Sequence, residues 1–197
     1  MKYKLTDKTK TVNGVKLYQI QALKYFGNVK AGDLGGWIEK EKNLSQEGDC
    51  WVYGNARVFN NALVYGDALV YGDALVYHDA MIFDKAEVFG NALVYGDALV
   101  YGDARVYGNA RVFDNALVYG DARVYYDAIV FGNAQAFGND KVSAMWCGGN
   151  AKVYCNTSIS SVKEQNPFDF NTLPEGVEEV VVKGIRYKKE IIWKKIS

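Results

Sequence analysis

One histidine, two prolines and three cysteines are the whole complement of those residues in 197 positions, and no long apolar run accompanies them. A single imidazole, His78, gives acid–base or metal chemistry built on histidine almost nothing to work with. Cys50, Cys147 and Cys155 show no metal-ligand spacing and no even disulfide framework. No stretch approaches eighteen uninterrupted apolar residues, and Met1-Lys2-Tyr3-Lys4-Leu5-Thr6-Asp7 has no apolar signal core. A cytoplasmic protein without a membrane partner is therefore the expectation. The sequons Asn43-Leu44-Ser45 and Asn156-Thr157-Ser158 carry no weight in that setting. Neither sign of charge is in excess, with 23 basic and 23 acidic residues. The basic residues form no continuous stripe with interleaved aromatics, so nucleic acid is a poor fit.

What is present is a repeat. Ala56, Ala62, Ala68 and every sixth residue through Ala134 are alanine, most of them within the phrase V-[Y/F]-G-[D/N]-A-x. A constant six-residue step without a helical period predicts a solenoid whose coils stack like on like. In extended chain successive side chains alternate between faces. Alanine and valine then share the inside, because a ring in every coil would not fit a narrow interior. The Gly-Asp or Gly-Asn pair supplies the bend between strands. Three strand-and-corner units close a triangular coil of about eighteen residues, and five coils about 4.8 Å apart make a rod roughly 24 Å long.

The phrase Val64-Tyr65-Gly66-Asp67-Ala68-Leu69, an aliphatic residue followed four positions later by a small one, resembles the hexapeptide repeat of left-handed parallel β-helices. The resemblance covers residues 49–139, and left-handedness comes with it. Leu17 to Leu23, Gly32-Asp33-Leu34-Gly35-Gly36-Trp37-Ile38-Glu39 and Asn43-Leu44-Ser45 are similar to uncharacterised repeat proteins of bacteriophages and prophages. One departure stands out: hexapeptide acyltransferases carry a small residue after the aliphatic one, where this chain carries tyrosine or phenylalanine. The fold expected is thus an all-β parallel solenoid with small terminal caps.

Aligning each residue with the one eighteen later sorts the outward positions into three faces. The first presents Trp51, Leu69, Glu87, Arg105 and Arg123 beside Tyr53, Tyr71, Phe89, Tyr107 and Tyr125. The second presents Arg57, Leu75, Leu93, Arg111 and Ile129 beside Phe59, Tyr77, Tyr95, Phe113 and Phe131. The third presents Leu63, Met81, Leu99, Leu117 and Gln135 beside Tyr65, Phe83, Tyr101, Tyr119 and Phe137. An apolar face of roughly 300 Å² reaches the size at which an exposed patch has a purpose. Self-association, as a dimer rather than a trimer, is the expectation for the third face. Stacked rings that merely stiffen the rod are the alternative, but stiffness does not need the Leu and Met column. Arg57, Arg105, Tyr107, Arg111, Phe113, Arg123 and Tyr125 are the candidates for contact with a protein partner.

Residues 49–139 hold eleven acidic against five basic residues, whereas residues 1–42 hold nine lysines against four acids. Residues 176–197 hold six basic against three acidic residues, so the rod is acidic and both ends are basic. The expected organisation is a hairpin cap and lead-in over 1–42, the β-helix over 43–162, and a linker with a closing hairpin over 163–197. Val12-Asn13-Gly14-Val15 reads as a two-residue hairpin turn. Asp140 replaces an alanine and Ala151 arrives one residue early, a one-residue deletion within the last coil. Pro167 and Pro174 mark the linker, followed by a hairpin of Val177 to Val182 and Arg186 to Trp193 across Lys183-Gly184, with helix as the alternative for the last piece.

The resemblance to acyltransferases would require a histidine base, commonly beside an extruded loop. His78 instead fills a corner glycine slot, and no loop interrupts Val52 to Phe137. The carbonic anhydrases of this fold need three histidines. Corner aspartates do not form a calcium ladder, because asparagine and Lys85 interrupt the columns. An outward threonine array for ice binding is missing, and rings occupy the faces where a nucleic-acid mimic would place charge. The sequence thus points to a non-enzymatic binding protein without cofactor or metal. The phage resemblance implies a version that occludes a host protein, for instance an antiviral-defence component such as a CRISPR effector. A virion-associated spacer or adhesin, or an acyltransferase relative, are the alternatives.

Overall fold

The computed structural model describes residues 1–143, 146–150, 152–153, 179–182 and 185–188. It divides into a unit of residues 1–160 and a unit of residues 161–197. The first is a parallel β-solenoid of hexapeptide-repeat type. Its strands fall into two six-stranded sheets and one nine-stranded sheet, one for each face of the prism. Every step from Leu63↔Met81 through Leu99↔Leu117 keeps an eighteen-residue register.

Alanine and valine do face inward. Ala56 through Ala134 and Val70 through Val130 are fully buried at their repeat positions, with Ile82 taking one valine slot and Ala136 another. Small and β-branched side chains fill the narrow interior, and each strand needs only two paired residues before the chain turns.

The turn requires a left-handed residue. Its first slot has positive φ throughout the prism, from Gly54 at 59° to Gly138 at 64°. A Cβ on Gly72 would stand 2.9 Å from the nitrogen of Gly90 in the next coil, so glycine also serves close stacking. Where the slot is not glycine, the side chain can compensate. Asp84 and Asp114 each accept a hydrogen bond from the N–H of the next coil's glycine, Gly102 at 3.2 Å and Gly132 at 3.3 Å. His78, at φ 60°, and Tyr126, at φ 53°, are the ring-bearing residues held in this conformation.

The expected deletion lies where the repeat breaks. Arg123 pairs with Lys141 eighteen residues on, whereas Ile129 pairs with Trp146 and Gln135 with Lys152, seventeen on. One residue is lost between Ser143 and Trp146, and stacking resumes.

The N-terminal end is built from β1 (Tyr3–Val12), β2 (Val15–Ala22) and β3 (Leu34–Ile38). Val12 faces Val15 across Asn13-Gly14, both with positive φ, which is the tight turn the Asn-Gly pair encodes. β3 runs antiparallel to β2 but parallel to the rod, pairing Trp37 with Arg57. Parallel pairing thus reaches back into the stretch read as lead-in. The first step is twenty residues, not eighteen, with a short 3₁₀ turn at Glu41–Asn43. Gly35 and Gly36 allow the close approach, since a Cβ on Gly36 would lie 2.7 Å from the carbonyl oxygen of Ala56.

Hydrogen-bond direction explains what this end must supply. Each N–H in the ladder donates to a carbonyl of the following coil, as Leu69 does to Ala86. Carbonyls of the first coil therefore point out of the open end and need donors. Lys2, 1% exposed, donates through Nζ to the carbonyls of Glu47, Gly48 and Cys50 at 3.0–3.2 Å and to Cys50 Sγ at 3.2 Å. Asn43 Nδ2 donates to Asn60 and Ala62. Tyr3 Oη reaches the carbonyls of Glu41 and Leu44. Burial, then the nearby Glu41 and Cys50, hold the Tyr3 phenol far above its ordinary range.

In the second unit, Glu179–Val182 and Ile185–Lys188 pair antiparallel with Val182 opposite Ile185, so the closing segment is a hairpin there and not helix. Lys183-Gly184 and the remainder of the expected hairpin and linker lie outside the described residues, as does Cys155.

Candidate functional site: the outer faces of the prism

On the third face, strand pairing sets Leu63, Met81, Leu99, Leu117 and Gln135 in one column. Beside it the rings stack almost parallel. Tyr65–Phe83, Phe83–Tyr101, Tyr101–Tyr119 and Tyr119–Phe137 have centroids 4.9, 4.8, 5.1 and 5.2 Å apart, with planes within 9°. The coil spacing dictates that distance, so rings in register have no choice but to meet. Phe83, Tyr101, Tyr119 and Phe137 are half-buried, and Tyr65 at the end of the column is exposed. The Leu and Met column lies outside these stacks. None of the ten outward positions carries charge.

The first face is polar and partly covered. Trp51 is fully buried under the cap, edge-on to Tyr3 and Phe26 at 5.9 and 5.3 Å. Further along, Tyr71 Oη donates to Glu87 at 2.7 Å, and Glu87 pairs with Arg105 at 3.3 Å. Burial, then that hydrogen bond and the carboxylate's charge, hold the Tyr71 phenol far above its usual range. Arg105 and Arg123 are exposed in adjacent coils. Tyr107 stacks on Tyr125 at 5.2 Å, and Tyr126 lies 66% exposed against Tyr125.

The second face is split by the hairpin. Leu17 of β2 and Trp37 of β3 bury Phe59, with Val12, Val15, Leu75 and Tyr77 packed around them. Lys10 sits over the Trp37 ring at 4.3 Å, its ammonium pKa lowered by burial and then by Arg57. Arg57 lies in this covered part, half-buried, with Nη2 donating to the Asp73 carbonyl. Arg111 and Phe113 lie farther along, Arg111 exposed and Phe113 stacked on Tyr95 and Phe131. Of the seven candidate contact residues, the structure gathers Arg105, Tyr107, Arg123 and Tyr125 on one face, Arg111 and Phe113 on the next, and sets Arg57 beside the hairpin.

His78 is exposed at a corner with φ 60°, its ring edge-on to Tyr77 at 4.8 Å. It makes no hydrogen bond to another described side chain. Cys50 and Cys147 are buried, and burial raises the Cys50 thiol pKa despite the opposing Lys2 charge. Among the described residues no cluster of His, Cys, Asp or Glu has the arrangement of a metal site, and no helix is long and apolar enough to cross a membrane.

Two features escape sequence reasoning. Lys2 reads as one more surface charge, and Tyr126 as one more aromatic. Only its place in the six-residue frame, in the slot of Gly54, Gly72, Gly90 and Gly108, marks Tyr126 as strained.

These features define a hexapeptide-repeat β-solenoid. Family comparison agrees: the YdcK beta-solenoid repeat model matches residues 52–66, 104–120 and 110–126. A protein of Escherichia coli (strain K12), named "Uncharacterized acetyltransferase YdcK", is 42% identical over 60 residues, covering 26% of this chain and 18% of that protein. The chain thus matches less than a fifth of that relative's length, and the likeness is confined to part of the chain.

Proposed function

We propose that this chain is a non-catalytic binding protein that self-associates through its third face and docks a protein partner through the free parts of the first and second. The third face carries the reading: ten outward positions without a charge, beside a first face that holds Glu87, Arg105 and Arg123. Two such faces together would bury on the order of 1,000–1,400 Å², near the lower end of stable interfaces. Arg105, Tyr107, Arg123 and Tyr125, with Arg111 and Phe113, have the composition that dominates interface energetics. Occlusion of a host protein, an antiviral-defence component among them, is the version that the phage-like resemblance suggests.

Acetyl transfer is the second reading, favoured by the printed name of the E. coli relative. His78 would be the base available to it, on an exposed corner and without a carboxylate to orient it among the described hydrogen bonds.

Affinity capture from bacterial lysate separates these. Wild type is expected to retain a stoichiometric protein that Arg105→Glu/Arg123→Glu loses. Capture of nothing would favour a spacer or adhesin. Thiol release from acetyl-coenzyme A that His78→Gly abolishes would establish the second reading in its place.

A further inference from the structure

We propose that the junction between the N-terminal hairpin and the rod is a binding site for a phosphate group, held by the Lys8 and Lys10 ammonium groups and the Arg57 guanidinium around the Trp37 ring. The site lies apart from the third face and does not depend on self-association.

Strand pairing assembles it from separate stretches of the sequence. The turn at Asn13-Gly14 folds β1 onto β2 and sets Lys10 opposite Leu17. β3 then places Trp37 between Gln19 of β2 and Arg57 of the rod. Lys8 and Lys10 are two apart in β1, and both ammonium groups reach the same ring, 5.8 and 4.3 Å from its centroid. The electron-rich ring face attracts cations that repel one another. Trp37 is only 7% exposed, so it serves as a floor for these charges and not as a stacking surface. Lys8 is exposed, and Lys10 and Arg57 are half-buried, which leaves the cations within reach of a ligand.

Carboxylates do not match the three cations. Among the described residues the one ion pair is Glu87 with Arg105, on the first face. Asp7, at the irregularity in β1, pairs with none of the three. Glu39, two residues past Trp37, accepts a hydrogen bond from the Asn60 N–H at 2.6 Å. Asp73 is exposed, and its backbone carbonyl, not its carboxylate, accepts from Arg57 Nη2 at 3.3 Å. Arg57 Nε is buried without a hydrogen-bond partner among the described residues. Burial and then Arg57 lower the Lys10 pKa, and the opposing charge of Asp73 ranks behind both. Positive charge gathered without a counter-charge is costly, and a bound anion would offset that cost.

The donors select the kind of anion. A guanidinium offers a rigid fork of N–H groups, and each ammonium offers three rotatable donors. A phosphate group carries about −1.5 to −2 charges near neutral pH and enough acceptor oxygens for all three cations. A carboxylate brings a single charge and two oxygens.

The test is isothermal titration of the whole chain with inorganic phosphate and with glycerol 3-phosphate, in chloride at fixed ionic strength. One saturable equivalent is expected. Lys10→Gln and Arg57→Gln should each weaken it about tenfold and together about a hundredfold, with a smaller loss for the exposed Lys8→Gln. Equal affinity for the two probes would make free phosphate sufficient, whereas tighter binding of the monoester would identify a phosphorylated molecule as the ligand; either supports the site. Absence of saturable binding by both probes, or binding unchanged in the double variant, overturns it.

A second measurement needs no variant. The carbon-13 resonance of Lys10 Cε should titrate at higher pH in phosphate than in chloride, because an adjacent anion favours the charged ammonium. Identical titrations in the two salts would overturn the proposal even where Arg57→Gln fails to fold.

Discussion

Replacing Lys2 with methionine would remove the ammonium from the open end of the rod and keep most of its apolar stem. Three carbonyls, of Glu47, Gly48 and Cys50, would lose a charged donor at 3.0–3.2 Å, together with Cys50 Sγ. Hydrogen bonds from a charged donor contribute about 1.5–3 kcal/mol each, and burying the ammonium offsets several kcal/mol of that. A net loss of about 3 kcal/mol is the result. Solenoid coils are coupled mainly to their neighbours, so the loss should stay local. Hydrogen exchange followed by mass spectrometry would show it. Peptides spanning Leu44–Ala68 should open about a hundredfold more often, at 1.4 kcal/mol per tenfold, while those spanning Ala110–Val130 should be unchanged. Unaltered exchange in the first coil would refute the donor role. A uniform increase along the rod would refute the locality.

Tyr126→Gly should stabilise the protein by about 1 kcal/mol, read from the urea midpoint, because glycine adopts the corner's positive φ without the Cβ clash that other residues carry. A loss of stability would mean that Tyr126 packs better than its exposed, tilted contact with Tyr125 indicates. High pH should also be selectively damaging. Burial raises the phenols of Tyr53, Tyr65, Tyr71, Tyr77, Tyr95, Tyr101 and Tyr107 above their unfolded values. The folded chain therefore holds these protons more tightly, and the stability they contribute is complete below the unfolded tyrosine value of about 10 and is lost as pH climbs past it. Melting temperature should hold to about pH 9 and fall above 10, less steeply in Tyr71→Phe. A fall already complete near neutrality would contradict that assignment.

The interior was legible because a constant period translates directly into contacts. Ala68 and Val70 sit inside, and Leu99 stacks on Leu117, because hydrogen bonding between coils fixes the register. The missing residue after Ser143 could be read for the same reason, since it shifts the alanine frame by one. Asn13-Gly14 carried its turn in two residues. What escaped was set by contacts without a period. Nothing in β1 and β2 announces that Leu17, Val12 and Val15 cover Phe59 and Tyr77, leaving Arg57 in the covered part of its face. Lys2 is a cation with a buried role because first-coil carbonyls point outward, a fact of direction and not of composition. The candidate surfaces were legible as columns, while their extent depended on where the hairpin came to rest.

Mass in solution tests the central claim most directly. Sedimentation equilibrium should give twice the chain mass of 22.0 kDa for wild type and the single-chain mass for Leu99→Glu/Leu117→Glu, with circular dichroism unchanged between them. Equal masses for the two proteins would contradict self-association through the third face, whatever the oligomer.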